Sequence, residues 1–129
     1  MSARRSPFQY AALRVVPRVE RGEAVNAGVV LFCRPLRFLG ARTQLDDALL
    51  AALAPGCDPR EVRAQLATIE RIARGEPDGG AIAALPQSDR FHWLVAPAST
   101  IVQAGPVHTG LTTDPAGELD NLFTRLVTR

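Results

Sequence analysis

The sequence predicts an α+β domain: a mainly antiparallel sheet of about five strands, in the order β-β-β-α-α-β-β-α, with helices packed on one face. Three observations point there. Apolar residues alternate with period two through the first third of the chain, separated by short polar connections. Stripes of period 3.6 with clear caps follow, and alternation returns after residue 90 before one last capped helix. A chain of 129 residues, 47% hydrophobic and 22% charged, bounds this to a single domain, placed at residues 8–129 behind a loose basic tail of residues 1–7.

The first strand spans residues 8–16, with Phe8, Tyr10 and Ala12 on one face and Leu13 and Val15 on the other; Pro17 stops it. After a polar loop, the run Val25–Arg34 is apolar on both faces, with Val25, Ala27, Val29 and Leu31 set against Gly28, Val30 and Phe32. A strand buried on both sides is usually central. Pro35 ends it, and Arg37–Arg42 forms a shorter third strand, so short links make an antiparallel meander.

Asp46 or Asp47 then starts a helix whose stripe is Leu45, Leu49, Leu50 and Leu53 and whose stop is Pro55-Gly56. The next helix has Asp58 as N-cap, Pro59 at the first helical position and Glu61 three after the cap. Val62, Leu66, Ile69 and Ala73 share its inner face, Arg60, Arg63, Glu70 and Arg74 face water, and Gly75 closes it in the left-handed conformation. Residues 76–88 hold two glycines and two prolines and read as a connecting loop. Residues 90–96 alternate Phe91, Trp93 and Val95 against His92, Leu94 and Ala96, and Pro97-Ala98-Ser99 turns them into Thr100–Ala104 as a second hairpin. Asp114-Pro115 opens the last helix, with Leu119, Leu122, Phe123 and Leu126 inward.

All fifteen basic residues are arginine. With no lysine there is no Schiff-base amine, no P-loop or kinase-type ATP lysine and no Ser-Lys nucleophile. The net charge of +2 is spread from Arg4 to Arg129, a field too weak and too dispersed for nucleic acid to be the expected partner. The longest apolar segment, Ala27–Cys33, is far short of the roughly 20 residues a membrane helix needs. Cys33 and Cys57 sit in settings that ask for no bridge, and no secretory leader precedes the first strand, so the expected setting is the reducing cytoplasm.

Three polar groups stand out. Arg14 lies inside an apolar strand near Arg21, Gly22, Glu23 and Asn26, and an arginine there needs a partner, Glu23 being nearest in sequence. One account is a loop pinned by a salt bridge; the other is an anion site in which Arg14 and Arg21 grip a carboxylate or phosphate. A second group gathers His92, Ser99, Thr100, Gln103, His108 and Thr109 around the second hairpin, with His108 the candidate acid or base. The third is Gly105–Gly110, read as a rigid turn ahead of a helix N-terminus. His108-Thr109 lacks the spacer of two-histidine phosphoesterases. Cys33, Cys57, His92 and His108 lack the close pairing of zinc ligands, so no metal and no cofactor is expected. Nucleophile-elbow and dinucleotide-binding glycine motifs are absent.

Tyr10-x-x-Leu13-Arg14-x-Val16-Pro17, Arg21-Gly22-Glu23-x-x-Asn26-x-Gly28-Val29-x-Leu31, Ser99–Gln103 and Pro106–Gly110 together resemble a bacterial family known as domain of unknown function 3037, over about Tyr10 to Val127. That resemblance implies recurrent polar positions at Arg14, Arg21, Glu23, Asn26, His108 and Thr109. It also implies an accessory role beside small kinase-fold proteins. Two functions follow as expectations. The first is a non-catalytic cytoplasmic module that binds a protein partner, a kinase-like one by the resemblance. The second is a small enzyme or binding domain for a phosphorylated or nucleotide-like ligand. In it Arg14 and Arg21 clamp the anion, His108 is the acid or base, and Glu23, Asn26, Gln103 and Thr109 are further candidates for ligand binding. Convergence of Arg14, Arg21, Glu23 and His108 on one cleft separates the two.

Overall fold

The computed structural model describes residues 4–98 and 100–129. Its strands are β1 (Ser6–Val15), β2 (Val25–Cys33), β3 (Phe38–Thr43), β4 (Val102–Ala104) and β5 (His108–Thr112). Its α-helices are α1 (Asp47–Leu53), α2 (Pro59–Arg74), α3 (Gln87–Val95) and α4 (Pro115–Leu126). The expected α+β class with a five-stranded antiparallel sheet holds, in the order β3-β2-β1-β4, and β5 also pairs with β1. β4 pairs with Leu13–Val15 and β5 with Ser6–Tyr10, so the two form one edge of the sheet, broken at Gly105-Pro106-Val107. β1 starts at Ser6, which takes Ser6 and Pro7 out of the expected tail and into the sheet.

The helices do not share one face. Ala11, Leu13, Val30, Phe32 and Leu39 pack with Ile72 of α2 and Phe91 and Leu94 of α3. The opposite face, through Phe8, Val29, Leu31 and Cys33, packs on Leu119, Leu122 and Phe123 of α4. A central strand apolar on both faces demands this cover, and leaving either face wet would cost about 1.5–3 kcal/mol per large side chain. Gly40 lets α4 approach, since a Cβ there would lie 3.0 Å from Leu119.

A bulge corrects the expected facing of β2. Leu13 pairs with Gly28 but Arg14 pairs with Asn26, leaving Ala27 as an extra residue. Ala27 therefore turns to Leu50, Val62 and Leu66 of α1 and α2, away from Val29 and Leu31. Asn26 joins the α4 face instead.

The element order becomes β-β-β-α-α-α-β-β-α, because residues 87–95 are helical and the expected second hairpin does not exist. The alternation of residues 90–96 and the helical spacing of Arg90, Phe91 and Leu94 are both written in one short run. Burial selects the helix: Arg90, Phe91 and Leu94 are enclosed and Trp93 is half-exposed. The buried Arg90 donates from Nε to the Leu85 carbonyl at 2.9 Å and from Nη1 to the carbonyls of Ile72 at 3.0 Å and Ala73 at 2.9 Å. It thereby closes the C-terminus of α2, where Gly75 adopts φ +71° and its amide also donates to Ile72. Residues 76–88 are more ordered than a plain connection, with 3-10 turns at Pro77–Gly79 and Ile82–Ala84, and Ala83 is buried.

The capped helices follow expectation. Asp46, Asp58 and Asp114 each accept a backbone amide at an N-cap, from Leu49, Arg60 and Gly117 respectively. Among the described residues no helix is long and apolar enough to cross a membrane.

Candidate functional site

The α4 face of the sheet changes character along β1. Phe8 and Tyr10 lie under α4, Ala12 follows, and Arg14 comes where the helix ends. The register sets Arg14 between Asn26 on β2 and Gln103 on β4, so three polar residues make one row across three strands. Two rows away Tyr10 is opposite His108, with ring centroids 5.3 Å apart.

These residues border a cleft of about 160 Å³ formed by Tyr10, Ala12, Arg14, Asn26, Pro106 and His108. Leu126, the last residue of α4, completes it. Asn26 donates from Nδ2 to the Leu126 carbonyl at 3.1 Å, which ties the helix end to the sheet. The partial negative charge of that helix end favours the nearby guanidinium. Gly105 supplies the room for it: a Cβ at residue 105 would stand 2.8 Å from an Nη of Arg14 and 2.9 Å from Cζ. Arg14 is half-buried, and among the described residues its side chain makes neither a hydrogen bond nor an ion pair. Its fork of donors remains available to an anion.

The other expected site residues separate. Arg21 pairs with Glu23, not with Arg14, and both are exposed. The Glu23 carboxylate, through that hydrogen bond and its charge, raises the Arg21 guanidinium further above its ordinary range. The pair lies on a different hollow, of about 760 Å³, bordered by Arg18, Cys57, Asp58 and Glu61. Arg14 and Arg21 therefore form no joint clamp. Gln103 shares the Arg14 row but donates its amide to the Thr100 carbonyl at 2.8 Å. Thr109 sits opposite Gln9 and, one residue from His108 on a strand, points to the other face.

His108 is the first residue of β5 and not part of a turn ahead of a helix, a correction forced by its pairing with Tyr10. It is exposed, and among the described residues it has no hydrogen-bond partner to hold one ring nitrogen. His92 is exposed on α3 with its ring edge-on to Phe91 and does not line the cleft that His108 borders. Thr100 bonds its own loop through the Val102 carbonyl, and Ser99 lies outside the described residues. Cys33 is buried against the Pro7 carbonyl and Cys57 is half-buried in a loop, both as free thiols. Among the described residues no three His, Cys, Asp or Glu side chains gather to hold a metal.

Tyr10 and Leu126 belong to the cleft without having been expected there. Tyr10 had a signal in its alternation with Arg14 on one strand face. Leu126 had none, because it arrives from a helix 112 residues further along the chain than Arg14. Gly105 was expected in a rigid turn ahead of a helix and instead makes room for the Arg14 side chain.

A family model described as protein of unknown function (DUF3037) matches residues 10–127, nearly the whole chain, and the chain belongs to that family. No curated protein and no solved structure matches it.

Proposed function

We propose, for this member of the family of unknown function 3037, a non-catalytic binding module in which Arg14 takes one anionic group presented by a partner protein. Arg14 itself carries the reading. A half-buried guanidinium that pairs with no acid among the described residues gains from an anion that satisfies its donors in a partly dehydrated setting. A cleft of about 160 Å³ is smaller than the several hundred Å³ typical of pockets that enclose metabolites. It suits a carboxylate or phosphate whose parent body stays outside. The exposure of His108 and its stacking on Tyr10 favour a contact role over acid–base work. The resemblance set out above makes a kinase-like protein the first partner to try, and the two free thiols suit a reducing cytoplasm.

Acetate and inorganic phosphate serve as probes, followed by NMR at the Arg14 side-chain Nε–H and the Gly105 amide. Saturable shifts at both, lost in Arg14→Ala and weakened in Arg14→Lys, are expected. Silence at both positions with either anion overturns the reading, as does an unchanged response in Arg14→Ala. Co-purification with a co-expressed kinase-like protein, abolished by Arg14→Ala, tests the partner. Failure of that arm alone removes the kinase-like partner and leaves the anion site.

A further inference from the structure

We infer that the β4–β5 edge of the sheet is a self-association surface, where two copies of this chain pair antiparallel through β5. No aspartate, glutamate, lysine or arginine occurs from Phe91 to Thr113, a run of 23 positions in a chain of which these residues make up 22%. The fold places the second half of that run along one sheet edge. β4 and β5 are paired only with β1. Among the described residues, no further hydrogen bond reaches the backbone of His108–Leu111. Unpaired N–H and C=O groups in a strand form a template for another strand.

The side chains around that edge are apolar and uncovered. Leu111 is 56% exposed, Trp93 50% and Val107 40%, half of the large exposed hydrophobic residues among the described residues. Trp93 borders an apolar groove of about 580 Å³ with Ile69, Val102 and Ala104 beside β4. Edges that stay single usually carry lysine, an inward charge or proline within the strand. β5 has none, and Pro106 confines pairing to β5 by ending β4 on the other side.

The occupant follows from the lack of charge. A foreign strand gains specificity from side-chain pockets and complementary charge, and this edge offers no carboxylate, lysine or arginine to select with. A second copy needs no such code, because a twofold axis presents the same surface to both subunits. The register that pairs all five residues of β5 has its axis at Gly110. His108 of each copy then faces Thr112 of the other, and Thr109 faces Leu111. No like charges meet. An interface of two short strands and a few apolar side chains is small, so association in the micromolar range is expected.

Sedimentation of the full chain, from about 1 to 300 µM, tests this. The mass should rise from 13.9 kDa towards twice that value. Thr109→Arg and Leu111→Arg, both at exposed positions, should weaken the dimer at least tenfold without changing the circular dichroism. Amide exchange in β5 of the unmodified chain should slow as concentration rises, a readout that survives a variant that fails to fold. A monomer at every concentration overturns the inference. So does a dimer that both variants leave intact, or one that forms with no slowing in β5. Arg14→Ala should dimerise as the wild type does, which separates this surface from the anion cleft.

Discussion

The guanidinium of Arg14 lies across Gly105, occupying the place where a side chain at that position would begin, 2.8 Å from an ideal Cβ. Two segments thus share one space: β1 contributes a long cation, and the glycine between β4 and β5 contributes an absence. Gly105→Ala should push the Arg14 side chain out of the cleft. The displaced atoms are the far end of a flexible chain, so the domain should fold with a melting temperature within a few degrees of wild type. NMR titration with acetate should show the Arg14 response weakened as strongly as in Arg14→Lys.

Arg90 should be among the costliest side chains to remove. Arg90→Met leaves the Leu85, Ile72 and Ala73 carbonyls without their shared donor and strips a cation from the end of α2. A loss of about 2–4 kcal/mol is expected, read by urea denaturation. Arg90→Lys should recover less than half of it, because one ammonium cannot reach three carbonyls set around a planar fork.

Gly28 faces Thr43 across the β2–β3 pair. A Cβ there would lie 2.8 Å from the Arg42 carbonyl oxygen and 2.9 Å from Thr43 Cγ2. Backbone cannot step aside as a side chain can. Gly28→Ala should cost about 1–3 kcal/mol through strand displacement, whereas Gly56→Ala, with nothing near its Cβ, should leave the denaturation midpoint almost unmoved.

Asp58 links stability to acidity. The Arg60 backbone amide, followed by the Arg60 side chain, holds the Asp58 carboxyl below its ordinary value of 3.8. A lowered folded-state value means that the stabilisation is complete above the unfolded value and is lost as pH falls through the folded one. Asp58→Asn keeps a capping side chain but cannot titrate. Its stability should therefore fall less steeply than that of the wild type between about pH 4 and pH 2, measured by thermal melts at each pH.

Much of this fold was legible because local chemistry is strong where it is explicit. Asp58, Pro59 and Gly75 bound α2 to the residue, and the two-faced apolar run of β2 announced a central strand. The same run carried the unread corollary that both faces must be covered, which α4 then does. The bulge at Ala27 left no mark in the composition, since Val25, Ala27 and Val29 alternate as any regular strand would. Residues 90–96 fit two periods, and the choice rested on carbonyls at the end of α2 that only a helical Arg90 reaches. Of the candidate site, Arg14 and Asn26 were legible as polar residues in apolar strands. Their separation from Arg21 and Glu23 was not, because a salt bridge two residues long satisfies both of the latter on the surface.

Local composition and spacing carried an all-arginine complement, three Asp-capped helices, the three-strand meander of the first third of the chain, and a polar signature at Arg14, Asn26 and His108. Tertiary structure alone decided which of these meet. Pairing of β1 with β2, β4 and β5 brought Asn26, Gln103 and His108 beside one strand. The end of α4 closed the cleft above them. The reason is that register and helix docking are settled by burial summed over the whole core, whereas each cap is settled within a turn of its own residue.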